Sequence, residues 1–125
     1  PFRSVENVKK CLDRISEEYN SASTFTEADP NPHRTWTLTE NEPEPFVDGA
    51  NPWVPRQQTP EVYQLTGACY AFETDVFSRD DDPGLLFGRS AAIEMSQLRS
   101  LDIDTPVDLQ VARSMIAEGL IDTEQ

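Results

Sequence analysis

The chain has 125 residues, a formal net charge of −13 at pH 7 and 37% hydrophobic residues, which fits one small folded domain. Its 23 acidic residues against 10 basic ones disfavour nucleic acid and anionic membranes as partners. No apolar run approaches the ~18 residues of a membrane-spanning helix, and the single histidine leaves no ligand set for a zinc cluster.

The acidic balance predicts either a surface that keeps the protein soluble or an adaptation to high salt. Cys11 and Cys69 lie in apolar segments, so we expect buried thiols rather than a disulfide or a metal-binding pair. The start, PFRSVENVKK, has no signal-peptide pattern. The absence of a disulfide framework favours the cytoplasm. Because the chain has no initial methionine and enters a helical pattern at once, we expect a piece of a longer protein.

Ser4–Tyr19 is the first predicted helix, with Ser4 as its N-cap. Its apolar residues form one stripe at helical spacing: Val5, Val8, Cys11, Leu12, Ile15 and Tyr19. We therefore expect this helix to lie on a sheet. The Thr-rich segment Ser21–Glu27 and the segment Arg34–Leu38 predict two strands, separated by the turn-forming ADPNPHR.

A proline-rich arm spans about residues 39–63. Its prolines exclude a helix or a central strand over much of the arm: Pro43, Pro45, Pro52, Pro55 and Pro60. This composition is typical of a surface loop or linker. Yet the arm also holds four apolar residues: Phe46, Val47, Trp53 and Val54. Such residues favour an arm that packs on something, for example a second subunit.

Three more strands are predicted, at Val62–Glu73, Ala91–Ser96 and Ser100–Asp104. Within the first of them, Gly67 indicates a bulge or a close approach of another backbone. Asp80–Gly84 predicts a solvated loop. The mixture of strands and helices, without internal repeats, indicates an α/β fold.

The last predicted helix has strong signals at both ends. Thr105 is the expected N-cap, Pro106 occupies the first helical position, and Asp108 completes a sequence close to a capping box. Gly119 is expected to close the helix. An apolar face lies between these signals: Val107, Leu109, Val111, Ala112, Met115 and Ile116.

Asp102 and Asp104 flank Ile103 just before this helix. In a strand, residues two apart point to the same side, so both carboxylates would face together and Ile103 would face the core. The carboxyl end of a strand is a common ligand site in α/β sheets. Two adjacent carboxylates favour a hard cation such as Mg²⁺. Alternatively, Asp104 only caps the helix and Asp102 is a solvated strand end.

In so acidic a chain, arginines are candidate anion sites. Arg56 follows the arm and can grip a carboxylate or phosphate in bidentate fashion, and Arg34 is a second candidate. The alternative for either is a surface ion pair. His33 predicts an exposed loop histidine. The five glycines form no phosphate-binding loop, so we expect the nucleotide cradle to lie outside this chain.

Three stretches, PFRS, RQQTPEVYQLTGACYAF and SLDIDTPVDLQVA, together resemble the acylneuraminate cytidylyltransferase family, the CMP-sialic acid synthetases and their relatives. The resemblance covers nearly the whole chain and is poorest in the arm. It implies that residues 1–125 are one C-terminal fragment of a Rossmann-like nucleotidyltransferase domain. The arm would be a dimerisation excursion in a homodimer.

The resemblance also implies an activity. The family uses Mg²⁺ to transfer CMP from CTP to a nonulosonic acid, with release of pyrophosphate. The aspartates matching Asp102 and Asp104 bind the metal, and the residues matching Arg56 and Tyr70 lie near the sugar acid. Arg34 is a further candidate for contacting this substrate.

Two departures from the family pattern limit what is carried over. Thr66-Gly67 stands where the family commonly has Asn-Gly. Threonine lacks the side-chain amide of asparagine, so any sugar contact made by that amide is not carried over. The family's N-terminal nucleotide loop is not in this sequence, so we expect the chain alone to be inactive. Two alternatives remain: an inactive dimerisation or binding module of the same fold, and an enzyme of the related Kdo type, although DIDT fits the sialic acid type better.

Overall fold

The computed structural model describes residues 2–75 and 84–122. The described elements follow in this order: α1 (Val5–Ser16), β1 (Ser21–Glu27), β2 (Trp36–Thr39), β3 (Glu42–Pro45), β4 (Tyr63–Phe72), β5 (Ser90–Glu94) and α2 (Pro106–Ala117). The predicted α/β class is confirmed. The predicted loop Asp80–Gly84 falls outside the described residues except for Gly84. None of the helices in the described part of the chain has the length and apolar character needed to cross a membrane.

The chain forms two compact units. One runs up to Thr26 and resumes at Leu65, and the other comprises Glu27–Gln64. The first contains both helices and nearly all of a three-stranded sheet, and the second contains a two-stranded ribbon and most of the proline-rich arm.

The larger sheet has the strand order β4-β1-β5 and is mixed. β1 and β5 run parallel, in register from Ser21 opposite Ser90 to Phe25 opposite Glu94. Backbone hydrogen bonds show that β4 runs antiparallel to β1. The N–H of Ala28 donates to Val62 beyond one end of the pair, and the N–H of Glu73 donates to Asn20 beyond the other.

β4 contains the predicted bulge. The hydrogen bonds place the segment 20–28 opposite the longer segment 62–73, so β4 carries extra residues. Gly67 lies within it at φ +68°, a conformation that glycine adopts without strain. A Cβ at Gly67 would meet no atom within 4 Å, so backbone conformation rather than close approach accounts for the glycine.

The core of the sheet unit is built from small side chains. Its buried members are Cys11, Ala22, Ala71, Ala91 and Ile93, with Ile15, Tyr19 and Cys69 packed against them. Four of the five buried residues are alanine or cysteine, so α1 approaches the strands closely. The expectation that the first helix lies on a sheet is confirmed.

The first helix is shorter and less buried than its pattern predicts. Ser4 caps it as expected, its hydroxyl accepting the N–H of Asn7 at 3.3 Å. The helix ends at Ser16 rather than Tyr19, because Glu18 takes a left-handed conformation at φ 78°. Three residues of the predicted stripe are exposed: Val5, Val8 and Leu12. Only part of the apolar face therefore contacts the sheet in the described residues.

α2 has both predicted end signals. Thr105 is the N-cap of a complete capping box with Asp108, and Pro106 is in the first turn. At the other end, Gly119 is at φ +68°, and the N–H groups of Gly119 and Leu120 donate to Ile116 and Met115. This pair of bonds is a Schellman motif. A second cluster holds the helix: Phe2, Ala112, Met115 and Ile121, with Leu101 beside it.

The predicted strand at Ser100–Asp104 is wrong. Gln97–Ser100 forms a 3₁₀ turn, and the residues after it are irregular and pair with no strand in the described part of the chain. Ile103 is 42% exposed and does not face the core. Without a neighbouring strand, this stretch has no ladder to join and no buried face to line.

The second unit contains a β-hairpin that the sequence did not predict as one. β2 pairs antiparallel with β3, from Trp36 opposite Pro45 to Thr39 opposite Glu42. Glu40 and Asn41 form the two-residue turn with φ of 50° and 70°, as a type I′ turn requires. The predicted strand Arg34–Leu38 corresponds to β2, shifted along the chain.

Two prolines fit in β3 because of its register. The N–H of Phe46 donates to the carbonyl of Thr35. Counting back from Phe46, the N–H group of every second residue of β3 therefore points toward β2. Pro43 and Pro45 occupy the other set of positions, where no hydrogen bond to β2 is required. The predicted exclusion of a central strand is confirmed, since a two-stranded ribbon has edge strands only.

Two candidate functional sites

The first candidate site is the carboxylate pair, Asp102 and Asp104, which lies between the 3₁₀ turn and α2. Both residues are exposed. A guanidinium nitrogen of Arg3 lies 3.5 Å from Oδ1 of Asp102, and both side chains are solvent-exposed. A shallow cavity of about 200 Å³ is lined by Phe2, Arg3, Leu101, Asp102 and Ile103.

The capping box shows which carboxylate starts the helix. Oδ2 of Asp108 accepts the N–H and the hydroxyl of Thr105 at 2.8 and 2.7 Å, and also the N–H of Asp104 at 3.2 Å. The N–H of Asp108 in turn donates to the Thr105 hydroxyl at 3.2 Å. Hydrogen bonds from the Thr105 side chain and backbone, and then from the Asp104 backbone, lower the pKa of Asp108.

The interpretation of Asp104 as a capping residue is therefore wrong. Asp104 contributes only its backbone N–H to the cap, and its carboxylate makes no hydrogen bond or ion pair with the described residues. Two exposed carboxylates two residues apart fit a hard cation such as Mg²⁺, which keeps several waters and shares phosphate oxygens. Residues 2–75 and 84–122 contain no group of three or more His, Cys, Asp or Glu side chains arranged for a metal. These two residues would therefore supply only part of the ligand shell.

On β4, the candidate residues Thr66, Gly67 and Tyr70 differ in availability. The hydroxyl of Thr66 lies 2.6 Å from that of Thr24 and accepts the N–H of Ala68 at 3.2 Å. Thr66 therefore links β4 to β1, and its polar group is used internally. Gly67 forms the bulge, which leaves Tyr70, 37% exposed, as the side chain of the three that is open to a ligand.

The second candidate site is the arginine–tryptophan pocket, which lies wholly within the second unit. The cavity measures about 350 Å³. These residues line it: Asp29, Pro30, Asn31, Arg34, Trp36, Pro52, Trp53 and Arg56. The structure thus brings together two arginines, Arg34 and Arg56, that the sequence offered as separate anion sites.

Each pocket arginine is held by a 3₁₀ turn. Arg34 ends the turn Pro32–Arg34, which Asn31 caps, and Arg56 begins the turn Arg56–Gln58. The Asn31 side chain also donates to the carbonyl of Pro60 at 2.9 Å, which ties the two loop regions together. The two guanidinium groups therefore project from loops that are braced against each other.

The two guanidinium groups differ in their partners. Arg56 lies 3.2 Å from Oε1 of Glu27, and both side chains are about half exposed, so the pair adds little stability and can exchange. Arg34 makes no ion pair within the described part of the chain. His33, predicted to be an exposed loop histidine, is half-buried next to Arg34, and its Nδ1 lacks a hydrogen-bond partner among the described residues.

Trp36 and Trp53 complete the pocket, and sequence reasoning did not include them in a site. Their ring centroids lie 5.6 Å apart in an edge-to-face arrangement. Trp53 is 82% exposed, an unusual position for the largest apolar side chain. A signal was present, since each tryptophan lies within three residues of a candidate arginine.

The predicted site residues therefore fall into three groups. Arg34 and Arg56 share the pocket, Asp102 and Asp104 form the carboxylate pair, and Thr66, Gly67 and Tyr70 lie on β4. A scan against protein-family models and a search of curated proteins found no match to this chain.

Proposed function

We propose that this chain is the metal- and sugar-acid-binding part of a Mg²⁺-dependent cytidylyltransferase. The enzyme would transfer CMP from CTP to a nonulosonic acid and release pyrophosphate. The observation that carries the proposal is the unused carboxylate of Asp104, since Asp108 serves the helix cap in its place. The resemblance of the blocks around Arg56 and Asp102 supports the same reaction.

The carboxylate pair would hold Mg²⁺ together with CTP phosphates. Bound there, the cation supplies positive charge against the triphosphate and the leaving pyrophosphate. Asp104 has no side-chain partner among the described residues, and Asp102 would give up one exposed guanidinium partner, Arg3, at little cost. The capping box fixes the backbone of Asp104 through its N–H, which keeps the carboxylate next to the start of α2.

The arginine–tryptophan pocket would bind the sugar acid. A guanidinium grips a carboxylate with two parallel hydrogen bonds, and Arg34 is available for this without breaking an ion pair with a described residue. Arg56 can leave the half-exposed Glu27 to add a second positive charge. The indoles of Trp36 and Trp53 line the same cavity and would cover part of a bound sugar acid, which would strengthen these interactions by keeping water away.

We place the CTP-binding part outside these 125 residues, because the sequence has no glycine-rich phosphate loop. The chain alone is then inactive and works only as part of the larger enzyme, which we place in the cytoplasm. By the same resemblance, the enzyme is a homodimer held by the arm of residues 39–63. A Kdo-type sugar is an alternative substrate.

One observation favours a second function, that of an inactive dimerisation or binding module. Thr66 stands where the family commonly has asparagine, and its hydroxyl is bonded to Thr24. A side chain engaged in this way makes no contact with a sugar. A chain of this kind would keep the fold and the pocket but lack turnover.

Pyrophosphate release separates the two functions. A chain extended upstream to include the native preceding sequence is assayed with CTP, MgCl₂ and a panel of sugar acids, namely N-acetylneuraminic, legionaminic, pseudaminic acid and Kdo. We expect pyrophosphate only when CTP, Mg²⁺ and one nonulosonic acid are all present. Release by the 125-residue chain alone contradicts the placement of the CTP site outside it. No release from the extended chain with any sugar acid contradicts the enzyme proposal.

A further inference from the structure

The two cysteines of the sequence, Cys11 and Cys69, share one hydrophobic cluster of the sheet unit. Cys11 lies on α1 and is fully buried, whereas Cys69 lies on β4 and is partly exposed. Cys69 packs against the buried cluster that contains Cys11, and Ala71, two residues along on the same face of β4, is a buried member of that cluster. The proposed reaction uses neither of them.

The surroundings of the pair make the two sulfurs unequal. Burial, followed by the neighbouring Cys69, raises the pKa of the Cys11 thiol to about 12. Cys11 is therefore protonated and shielded from solvent, and reagents reach Cys69 first. The Ser23 hydroxyl donates to the carbonyl of Cys69 at 2.7 Å, which anchors this part of β4 to β1.

We propose that Cys11 and Cys69 are an oxidisable pair that closes to an intramolecular disulfide when a peroxide supplies the two-electron oxidation. In the first step, the deprotonated sulfur of Cys69 attacks one oxygen of hydrogen peroxide. The O–O bond breaks, hydroxide leaves, and Cys69 becomes a sulfenic acid.

In the second step, the sulfur of Cys11 attacks the sulfur of Cys69. The S–O bond breaks, and the departing hydroxide takes the Cys11 proton as water. In sum, two thiols lose two protons and two electrons, and one peroxide becomes two waters. Cys11 is the resolving thiol because it belongs to the cluster against which Cys69 packs and is buried away from the oxidant.

The disulfide would lock α1 to β4. It would close a loop that contains the whole second unit, and it would lie next to Tyr70 on the strand that carries the sugar-contact candidates. The inference stands apart from the proposed transferase reaction, because it depends on the two thiols alone.

The test uses the 125-residue chain, in which these two cysteines are the only ones. The protein is treated with hydrogen peroxide in native buffer and, in parallel, in urea, then alkylated and analysed by intact mass and peptide mapping. In native buffer we expect loss of two hydrogens per chain, one cross-linked Cys11–Cys69 peptide and no alkylated thiol. In urea the cross-linked fraction should fall several-fold at equal dose.

Three outcomes overturn the proposal. They are disulfide-linked dimers as the main product, sulfinic acid at Cys69 with Cys11 still a thiol, and equal cross-linking in native buffer and in urea. The first two mean that α1 and β4 do not let the sulfurs approach to the ~2.05 Å of a disulfide. The third means that the fold does not bring the two thiols together.

Single variants check the order of the steps. Cys11→Ser should accumulate a Cys69 sulfenic acid that dimedone captures, because the resolving thiol is gone. Cys69→Ser should leave Cys11 unmodified at the same peroxide dose, since Cys11 is fully buried. Oxidation of Cys11 in folded Cys69→Ser as fast as in the native protein contradicts the assignment. If either variant fails to fold, the native and urea mapping of the unmodified sequence decides.

Discussion

The carboxylate pair and the arginine–tryptophan pocket are opposite in charge and in construction. The pocket is a cavity with two guanidinium groups and two indoles, whose loops are braced by 3₁₀ turns and the Asn31 side chain. The carboxylate pair is an exposed stretch held by the start of one helix. The pocket has the shape of a binding site before any ligand arrives, whereas the pair offers charge without enclosure.

This difference determines which kind of experiment is informative for each region. In a chain of net charge −13, an unpaired carboxylate is common, so Asp104 gains meaning only because a second carboxylate adjoins it and the cap does not use it. An arginine is scarce by comparison, and two that line one cavity beside tryptophan make that cavity the stronger candidate for binding an anion. The pair is therefore best tested through turnover and the pocket through binding.

The largest expected effect is on turnover and concerns Asp104. In the extended chain, Asp104→Asn should lower kcat by roughly a hundredfold or more. The change removes a carboxylate ligand of the Mg²⁺ ion whose positive charge would stabilise the transition state. The urea midpoint should not change, since this carboxylate has no partner among the described residues. Asp13→Asn, an exposed aspartate on α1, is the matched control. Unchanged turnover in Asp104→Asn removes the metal role.

The next effect is on the affinity of the pocket for a sugar acid. Arg34→Ala and Arg56→Ala should each weaken binding of N-acetylneuraminic acid by about ten- to a hundredfold, since a hydrogen bond to a charged group contributes ~1.5–3 kcal/mol. Isothermal titration calorimetry on the 125-residue chain measures this directly.

Two variants control that experiment. Arg56→Lys keeps the charge but loses the planar fork, so its affinity should fall between those of arginine and alanine. Arg113→Ala, on the exposed surface of α2, should bind like the unmodified chain. If all the arginine variants bind equally, the pocket does not recognise the carboxylate.

A smaller effect distinguishes the cap from the carboxylate pair. Thr105→Ala should lower the free energy of unfolding by about 1 kcal/mol, the usual cost of losing an N-cap side chain, and Thr105→Ser should recover most of it. Asp104→Ala should leave stability unchanged. Urea titration monitored by circular dichroism gives all three values. A loss in Asp104→Ala equal to that in Thr105→Ala restores the capping interpretation of Asp104.

Local signals explain what the sequence predicted well. The caps of both helices depend on side chains within a few residues of each other, as Ser4 with Asn7 or Thr105 with Asp108, so the chain shows them directly. The bulge at Gly67 and the Schellman motif at Gly119 depend on one positive φ each. For the same reason, the assignment of the cap to Thr105 could be made from sequence and was confirmed.

Features that depend on distant partners were not predictable in this way. The alternation of Asp102, Ile103 and Asp104 is the same in a paired strand and in an unpaired extended stretch, and only the neighbouring chain decides between them. The hairpin turn Glu40-Asn41 lacks the glycine that marks such turns in sequences. The approach of Trp36 to Trp53, and of Arg34 to Arg56, depends on the path of the proline-rich loop between them.

The smallest effect is on acid stability, and it concerns the Asp108 carboxylate in the cap of α2. The pKa of Asp108 is lowered in the folded protein, so its ionised form stabilises the fold at pH values above the ordinary 3.8. This contribution disappears as the pH falls through the lower, folded-state pKa. As the pH is lowered from about 6 to about 3, the Tm difference between the unmodified chain and Asp108→Asn should shrink. A Tm difference that stays constant over this range would contradict the assignment of the cap hydrogen bonds to the Asp108 carboxylate.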